Sequence, residues 1–351
     1  MKKATQALVR WYDENKRDLP WRGEDAYRVW LSEMLLQQTR VDTGTAYYHR
    51  FCRAYPSIGE LAAAPQEEVL KLWEGLGYYN RARNMHKAAR MVVENYGGVM
   101  PDTYEEIIKL PGVGDYTAAA VLSMAYGVPI PAVDGNALRV AARICAIGQC
   151  VDEPKTRKAI RDILDEAMDR RRPGIYNQAV MELGALICLP RQMRCGQCPV
   201  RDFCAAYEKG LTDKLPVKKK KAPQKLERYA VIVLERSDGK VLVRKRESRG
   251  LLADMWEFIL LPVDEHEKAR QAALKWLEIS GIQADQIKKI GRMKHVFTHR
   301  IWMLEGFHVL VRGEPEFEGR WVDGSGFSAL PFGTAISRYT AYARKELFAL
   351  P

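Results

Sequence analysis

The sequence predicts a multidomain chain: an all-α domain over residues 1–213, a basic linker at 214–225, and an α+β domain over 226–351. Three observations predict it. Up to about Asp213 the apolar residues recur with the 3.6-residue helical period, and strand signals are almost absent. From Tyr229 onward, β-branched and aromatic runs punctuated by turns take over. Between them lies Leu215-Pro-Val-Lys-Lys-Lys-Lys-Ala-Pro-Gln, whose prolines and lysine run mark a connector.

Taken in order, residues 1–16 carry charge and helical periodicity without the apolar stretch of a signal peptide. Asp25 or a neighbour is placed to cap a helix running through Trp30 and Leu35. Further helices are expected over 104–110, 116–125, from about Asn136, over 156–168 and over 176–187. In the second domain, strands over 229–234 and 240–244 flank the turn Ser237-Asp-Gly. One helix at about 265–280 and strands near Val296, over 302–310 and at 320–321 complete it. At 351 residues and 47% hydrophobic content the chain can fill two or three cores. The 55 Lys and Arg exceed the 44 Asp and Glu by 11, which fits a polyanionic partner, although Lys218 to Lys221 belong to the linker and are discounted. No run reaches the roughly 18 apolar residues of a membrane span, so no membrane partner and a cytoplasmic, reducing location are expected.

Cys188, Cys195, Cys198 and Cys204 are separated by six, two and five residues. Four thiolates suit a structural zinc or an iron-sulfur cluster. Zinc ribbons usually use two close pairs, whereas here one pair is flanked by lone cysteines, which favours [4Fe-4S]; the bland alternative is four packed thiols. Arg191, Arg194 and Arg201 decorate this loop over 185–206 and suit phosphate. Cys52, Cys145 and Cys150 sit in apolar helical patterns and are read as core.

In Leu110-Pro-Gly-Val-Gly-Asp-Tyr, Gly112, Val113 and Gly114 form a tight turn whose backbone N–H groups can face a phosphate at the start of the next helix. Alone it is a common turn. With the cysteine loop downstream, residues 1–213 resemble the helix-hairpin-helix, iron-sulfur DNA glycosylases of the endonuclease III superfamily. The resemblance leaves room for a structural cation at the hairpin. It assigns the superfamily's essential aspartate to Asp134, in Val133-Asp-Gly-Asn, where a helix N-terminus keeps the carboxylate ionised to stabilise a sugar cation. An isolated Asp there would be read as an N-cap only. Members that nick DNA carry lysine where this chain has Tyr116, which cannot form a Schiff base.

The stretches Leu19-Pro-Trp-Arg, Ser32-Glu-Met-Leu-Leu-Gln-Gln-Thr-Arg and Gly75-Leu-Gly-Tyr-Tyr-Asn-Arg-Ala-Arg are similar to the adenine DNA glycosylases, which remove adenine opposite 8-oxoguanine. The resemblance makes Glu33 the acid at adenine N7, raised by burial among Trp30, Met34 and Leu36. Tyr116 and Asn136 become hydrogen-bonded supports, and Arg22, Leu36 and Gln178 line the adenine pocket. Gln38 and Tyr78 enter the base stack, Tyr79 being the weaker candidate of the adjacent pair. The partner implied is duplex DNA holding adenine opposite 8-oxoguanine, met by a nucleoid-associated monomer.

The second domain is similar to the Nudix fold. Aligning that fold's final motif glycine with Gly281 leaves one carboxylate of three, Glu278, too few to hold Mg²⁺. It is therefore expected to bind rather than hydrolyse, with Phe297, Thr298 and His299 contacting 8-oxoguanine. Two rivals remain. A thymine mismatch glycosylase shares the hairpin, aspartate, cysteine loop and tyrosine, and Gln37-Gln38-Thr39 with the appended domain argues against it. A non-catalytic damage binder is the other, and the presence of both Glu33 and Asp134 argues against that.

Overall fold

The computed structural model describes residues 2–220 and 222–349; Lys221 of the expected linker and the last two residues of the expected second domain, 350–351, lie outside it. The chain divides into two compact units. One comprises the residues up to Ala63 together with Asn84–Lys220, and the other Ala64–Arg83 together with everything after Lys220. The sequence reading placed 64–83 in the helical domain by position alone.

The helices before the linker are α1 (Lys2–Asn15), α2 (Ala26–Leu36), α3 (Val41–Ala54), α4 (Ile58–Ala63), α5 (Gln66–Leu72), α6 (Asn80–Tyr96), α7 (Tyr104–Ile107), α8 (Asp115–Ala125), α9 (Gly135–Ile144), α10 (Pro154–Ala167), α11 (Pro173–Leu186) and α12 (Ala205–Glu208). Local chemistry sets their starts. Asp25 accepts the Arg28 N–H to cap α2, Asp134 accepts the Ala137 N–H to cap α9, and prolines open α10 and α11. α7 is only one turn, because Pro111 follows and Val113 N–H closes a turn on Leu110 O. One core packs α1, α9, α10 and α11 through Leu8, Tyr12, Val140, Ile160 and Leu183. At Gly184 on α11 a Cβ would lie 2.6 Å from the Asn136 Cβ, so glycine is what lets the start of α9 settle there.

The second unit is built on a seven-stranded mixed sheet of β1 (Lys225–Glu235), β2 (Val241–Lys245), β3 (Trp256–Glu257), β4 (Ile259–Pro262), β5 (Ala284–Val296), β6 (Arg300–Val311) and β7 (Arg320–Val322). β1 runs parallel to β6 and antiparallel to β2 and β4, and β5 pairs antiparallel with β6. Alternate residues of β1 enter different cores, Val231 and Val233 on one face, Ile232 and Leu234 on the other beneath α13 (Ala269–Ile279). The single helix expected here is a correction: α14 (Gly324–Ala329) and α15 (Ser337–Tyr342) follow, with a wide turn over Ala343–Leu347. They are too short to show a clear period, yet Phe327, Tyr339 and Ala343 are fully buried. Strands β3 and β4 also escaped the sequence reading, being two and four residues long.

Cys52, Cys145 and Cys150 are partly exposed rather than core, a second correction. Cys145 is the residue that ends α9, and Cys150 lies in the following loop. No helix among the described residues is long and apolar enough to cross a membrane.

Candidate active site

In the first unit α2, α8, α9 and α11 border a cavity of about 610 Å³. Its wall brings together Glu33, Tyr116, Asp134 and Asn136 with Arg22, Leu36, Gln38 and Gln178, residues from four separated segments. Glu33 is 6% exposed on a helix whose neighbours Trp30, Leu31 and Met34 are wholly buried. Burial pushes its carboxyl up to about 7; a hydrogen bond from Tyr116 opposes that, and the Asp134 charge adds to it. Tyr116 is itself held far above its ordinary range, chiefly by burial and then by the charges of Glu33 and Asp134, so its hydroxyl stays a donor.

Asp134 does two jobs. Its Oδ1 accepts the Ala137 N–H at 2.7 Å, and its Oδ2 accepts Asn136 Nδ2 at 2.6 Å. Arg139 sets the orientation of that amide by donating to Asn136 Oδ1 at 2.8 Å, leaving the NH₂ for Asp134. Sequence reasoning missed Arg139, whose only signal was an arginine on an apolar helical face. It missed Glu182 too, which is 2% exposed and receives Arg17 at 2.8 Å and Arg22 at 3.0 Å. Burial pushes Glu182 up, but hydrogen bonds from Arg17 and the attraction of Arg22 outweigh it and hold the carboxylate ionised. Gln178 is fixed by accepting the Tyr12 hydroxyl at 2.9 Å and donating to Gly174 O at 3.2 Å.

The glycine turn lies elsewhere on the unit. Gly112 has φ +81, and a Cβ there would meet the Asn84 Cβ at 2.9 Å. Gly112 and Gly114 are exposed. Val113 is a correction: its side chain is buried and its N–H is spent on Leu110 O, so it offers a phosphate nothing.

The four loop cysteines border one small, largely apolar void of about 30 Å³ with Val140, Ile144 and Leu183. Burial, opposed by a backbone hydrogen bond from Val200 and aided by the three other cysteines, pushes the Cys198 thiol up to about 11. Among the described residues no three His, Cys, Asp or Glu side chains close on a single metal-ion position. Arg143, one helical turn beyond Arg139, donates to Cys188 Sγ at 3.3 Å and Leu189 O at 2.7 Å. Arg139 reaches Cys188 O at 2.7 Å, so α9 ties the cavity to the cysteine loop. Arg191 and Arg194 are exposed.

In the second unit Phe297 N–H bonds Arg300 O at 2.8 Å, making a hairpin between β5 and β6 with Thr298 and His299 exposed at its tip. Phe297 is half-buried and packs edge-on against Trp302, so it anchors the tip. Gln224 Nε2 donates to Phe297 O and Lys225 N–H to His299 O, fixing the tip's carbonyls. Tyr78 belongs to this unit; its hydroxyl lies 3.3 Å from Thr298 Oγ1, and both border a cavity of about 590 Å³. Tyr78 and Gln38 are both exposed with left-handed backbone, φ +49 and +60, a conformation costly for residues with a side chain. Tyr79, by contrast, is buried and reaches Phe332 O at 3.3 Å; it is a packing residue, not a surface for a base.

Residues 31–166 match the HhH-GPD superfamily of base excision DNA repair proteins, and residues 230–342 match the NUDIX domain. The human adenine DNA glycosylase is 33% identical over 95% of this chain and 72% of its own length. That of Buchnera aphidicola subsp. Acyrthosiphon pisum is 32% identical over 85% of this chain and 83% of its own. The chain belongs to the adenine DNA glycosylase family. Among solved structures a thermostable thymine-DNA glycosylase superposes with TM-score 0.55 at 30% identity, over 59% of this chain and 96% of its own. Endonuclease III trapped on DNA superposes with TM-score 0.52 at 24% identity, a likeness of fold. An adenine DNA glycosylase thus has a helical hairpin-type catalytic part and a Nudix-like part with a curled sheet, and this chain carries both.

Proposed function

We propose that the protein is a monofunctional glycosylase that binds duplex DNA and excises adenine opposite 8-oxoguanine, after flipping it from the stack. The observation that carries this is the pairing, in one cavity, of a buried Glu33 that holds its proton near neutral pH with Asp134 at a helix N-terminus. Glu33 donates its proton to adenine N7, the C1′–N9 electron pair leaves with the base, and the positive charge left on the sugar faces Asp134. Water then adds at C1′ and gives up a proton, which returns to the Glu33 carboxylate left by the first step. The low dielectric of the site strengthens Asp134's attraction for that charge, while the Asn136 bond holds the carboxylate in place.

Tyr116 supplies no amine, which supports a reaction ending at an abasic site. Four thiol donors around one void support a [4Fe-4S] cluster held by Cys188, Cys195, Cys198 and Cys204, where it would serve as a rigid structural centre. The exposed Thr298 and His299 support reading of 8-oxoguanine by the hairpin, with Tyr78 beside them. The thymine glycosylase likeness spans only 59% of the chain, whereas adenine glycosylases match across both parts.

The test is single-turnover excision on duplexes carrying adenine opposite 8-oxoguanine, thymine opposite guanine, and undamaged pairs. Adenine release with strand breaks only after alkali is expected. Faster thymine release, or a borohydride-trapped adduct on every turnover, would overturn the reading.

A further inference from the structure

The lysine run after Pro216 reads as solvated connector, yet the chain there is fastened to the first unit at every second residue. Leu215 is buried and its carbonyl accepts Arg143 Nε at 2.9 Å. Val217 O accepts Val151 N–H at 2.9 Å, and Lys219 N–H donates to Asp152 Oδ2 at 2.9 Å. The Lys219 ammonium pairs with Glu153 at 2.8 Å. Lys218 sits between these ties, is exposed, and has no ion-pair partner among the described residues. It borders the same cavity as Glu33 and Asp134, on the side of Arg157 and Asp152.

We propose that Lys218 is a positioning residue for the reaction: its ammonium, carried by a fastened backbone at the rim of the catalytic cavity, grips a phosphate flanking the extruded nucleotide. This rests on the glycosylase reading above. A nucleotide turned out of the stack carries its phosphates to the cavity mouth, and a cation already held there gains an ion pair without ordering any backbone. Arg157 spends its charge partly on Asp152 at 3.6 Å, which leaves Lys218 the less committed cation of the two. Lys219, with its ammonium on Glu153, and Lys220, which does not border the cavity, lack this placement.

The experiment compares the full chain, cluster intact, with Lys218→Ala, Lys218→Arg and Lys220→Ala. Binding is measured across a salt series on a duplex with non-hydrolysable 2′-fluoro-adenosine opposite 8-oxoguanine, and extrusion by 2-aminopurine fluorescence at the same position. Lys218→Ala is expected to weaken binding roughly 3- to 10-fold, to lower the salt slope by about 0.9, one phosphate's share, and to reduce the extruded fraction. Lys218→Arg should restore all three, and Lys220→Ala should change none beyond about twofold. Equal effects of Lys218→Ala and Lys220→Ala, or an unchanged extruded fraction, would overturn the proposal while wild-type adenine excision stands. Absence of wild-type excision would instead strike the glycosylase reading itself.

Discussion

The cavity around Glu33 and the hairpin tip at Thr298 are built on opposite physical terms. The first places Glu33 where water is scarce, so that it holds its proton near pH 7, with the half-buried Asp134 on the same wall. The second leaves a hydroxyl and an imidazole in the open and spends its order on the backbone behind them. On the proposed function, chemistry depends on desolvation and recognition on accessible donors in a fixed frame. Substitutions in the two places are therefore expected to damage different quantities.

The largest effects belong to the cavity. Glu33→Gln and Asp134→Asn should each lower single-turnover excision by about 10²–10⁴-fold while leaving duplex affinity within a few-fold, because both act on charge that develops in the transition state. Gel-shift affinities that fall in step with the rates would make these residues structural, and the contrast with the hairpin would be lost.

The pH dependence follows in size. Excision at saturating enzyme should be level in mild acid and decline above pH about 7 as Glu33 loses its proton, approaching tenfold per unit. Stability carries the same signature. Between the ordinary glutamate value of 4.5 and about 7 the folded chain binds a proton that the unfolded chain has released, so this contribution is complete below 4.5 and gone above 7. Glu33→Gln removes the dependence, so its stability relative to the wild type should rise by roughly 3 kcal/mol between pH 4 and pH 8, read from denaturant melts. A variant whose advantage does not grow with pH would mean that Glu33 is not proton-bound in the fold.

Thr298→Ala combined with His299→Ala should lower the ratio of excision opposite 8-oxoguanine to excision opposite guanine by about tenfold, the scale of one or two hydrogen bonds to a base edge. An unchanged ratio would remove the hairpin from recognition. The smallest effect is expected at Arg194→Glu on the cysteine loop, a uniform few-fold weakening on every duplex with a salt slope flatter by about one contact.

Much of this division was legible in the sequence through its family resemblance, since by residue type alone Asp134 reads as a helix N-cap. The resemblance singled out a glutamate inside an apolar helical run and an aspartate at a helix start, and the structure sets both on one cavity. Tyr116 and Asn136 were legible as supports, but two buried charged residues that hold cavity side chains were not. Arg139 and Glu182 look like ordinary helical charges until the helices pack and put Arg139 on Asn136 and Glu182 under Arg17 and Arg22. Val113 misled because a Gly-Val-Gly turn suggests free N–H groups, while hydrogen bonding within the turn uses one of them. In the second unit the long strands showed their alternation, but α14, α15, β3 and β4 are too short for any period to emerge.

Residues 64–83 pack with the C-terminal part of the chain, and this has a bearing on how the protein is made. Tyr79 bonds the carbonyl of Phe332, 253 positions later, Lys71 that of Leu330, and Arg83 pairs with Asp254. At ribosomal speeds of about 5–20 residues per second, this segment waits on the order of ten seconds or more for its partners to be synthesised. Until then Tyr79, buried in the finished molecule, lacks the partner it bonds there. The nascent chain carries these residues without their later partners, and a fragment ending at the linker would lack those partners permanently.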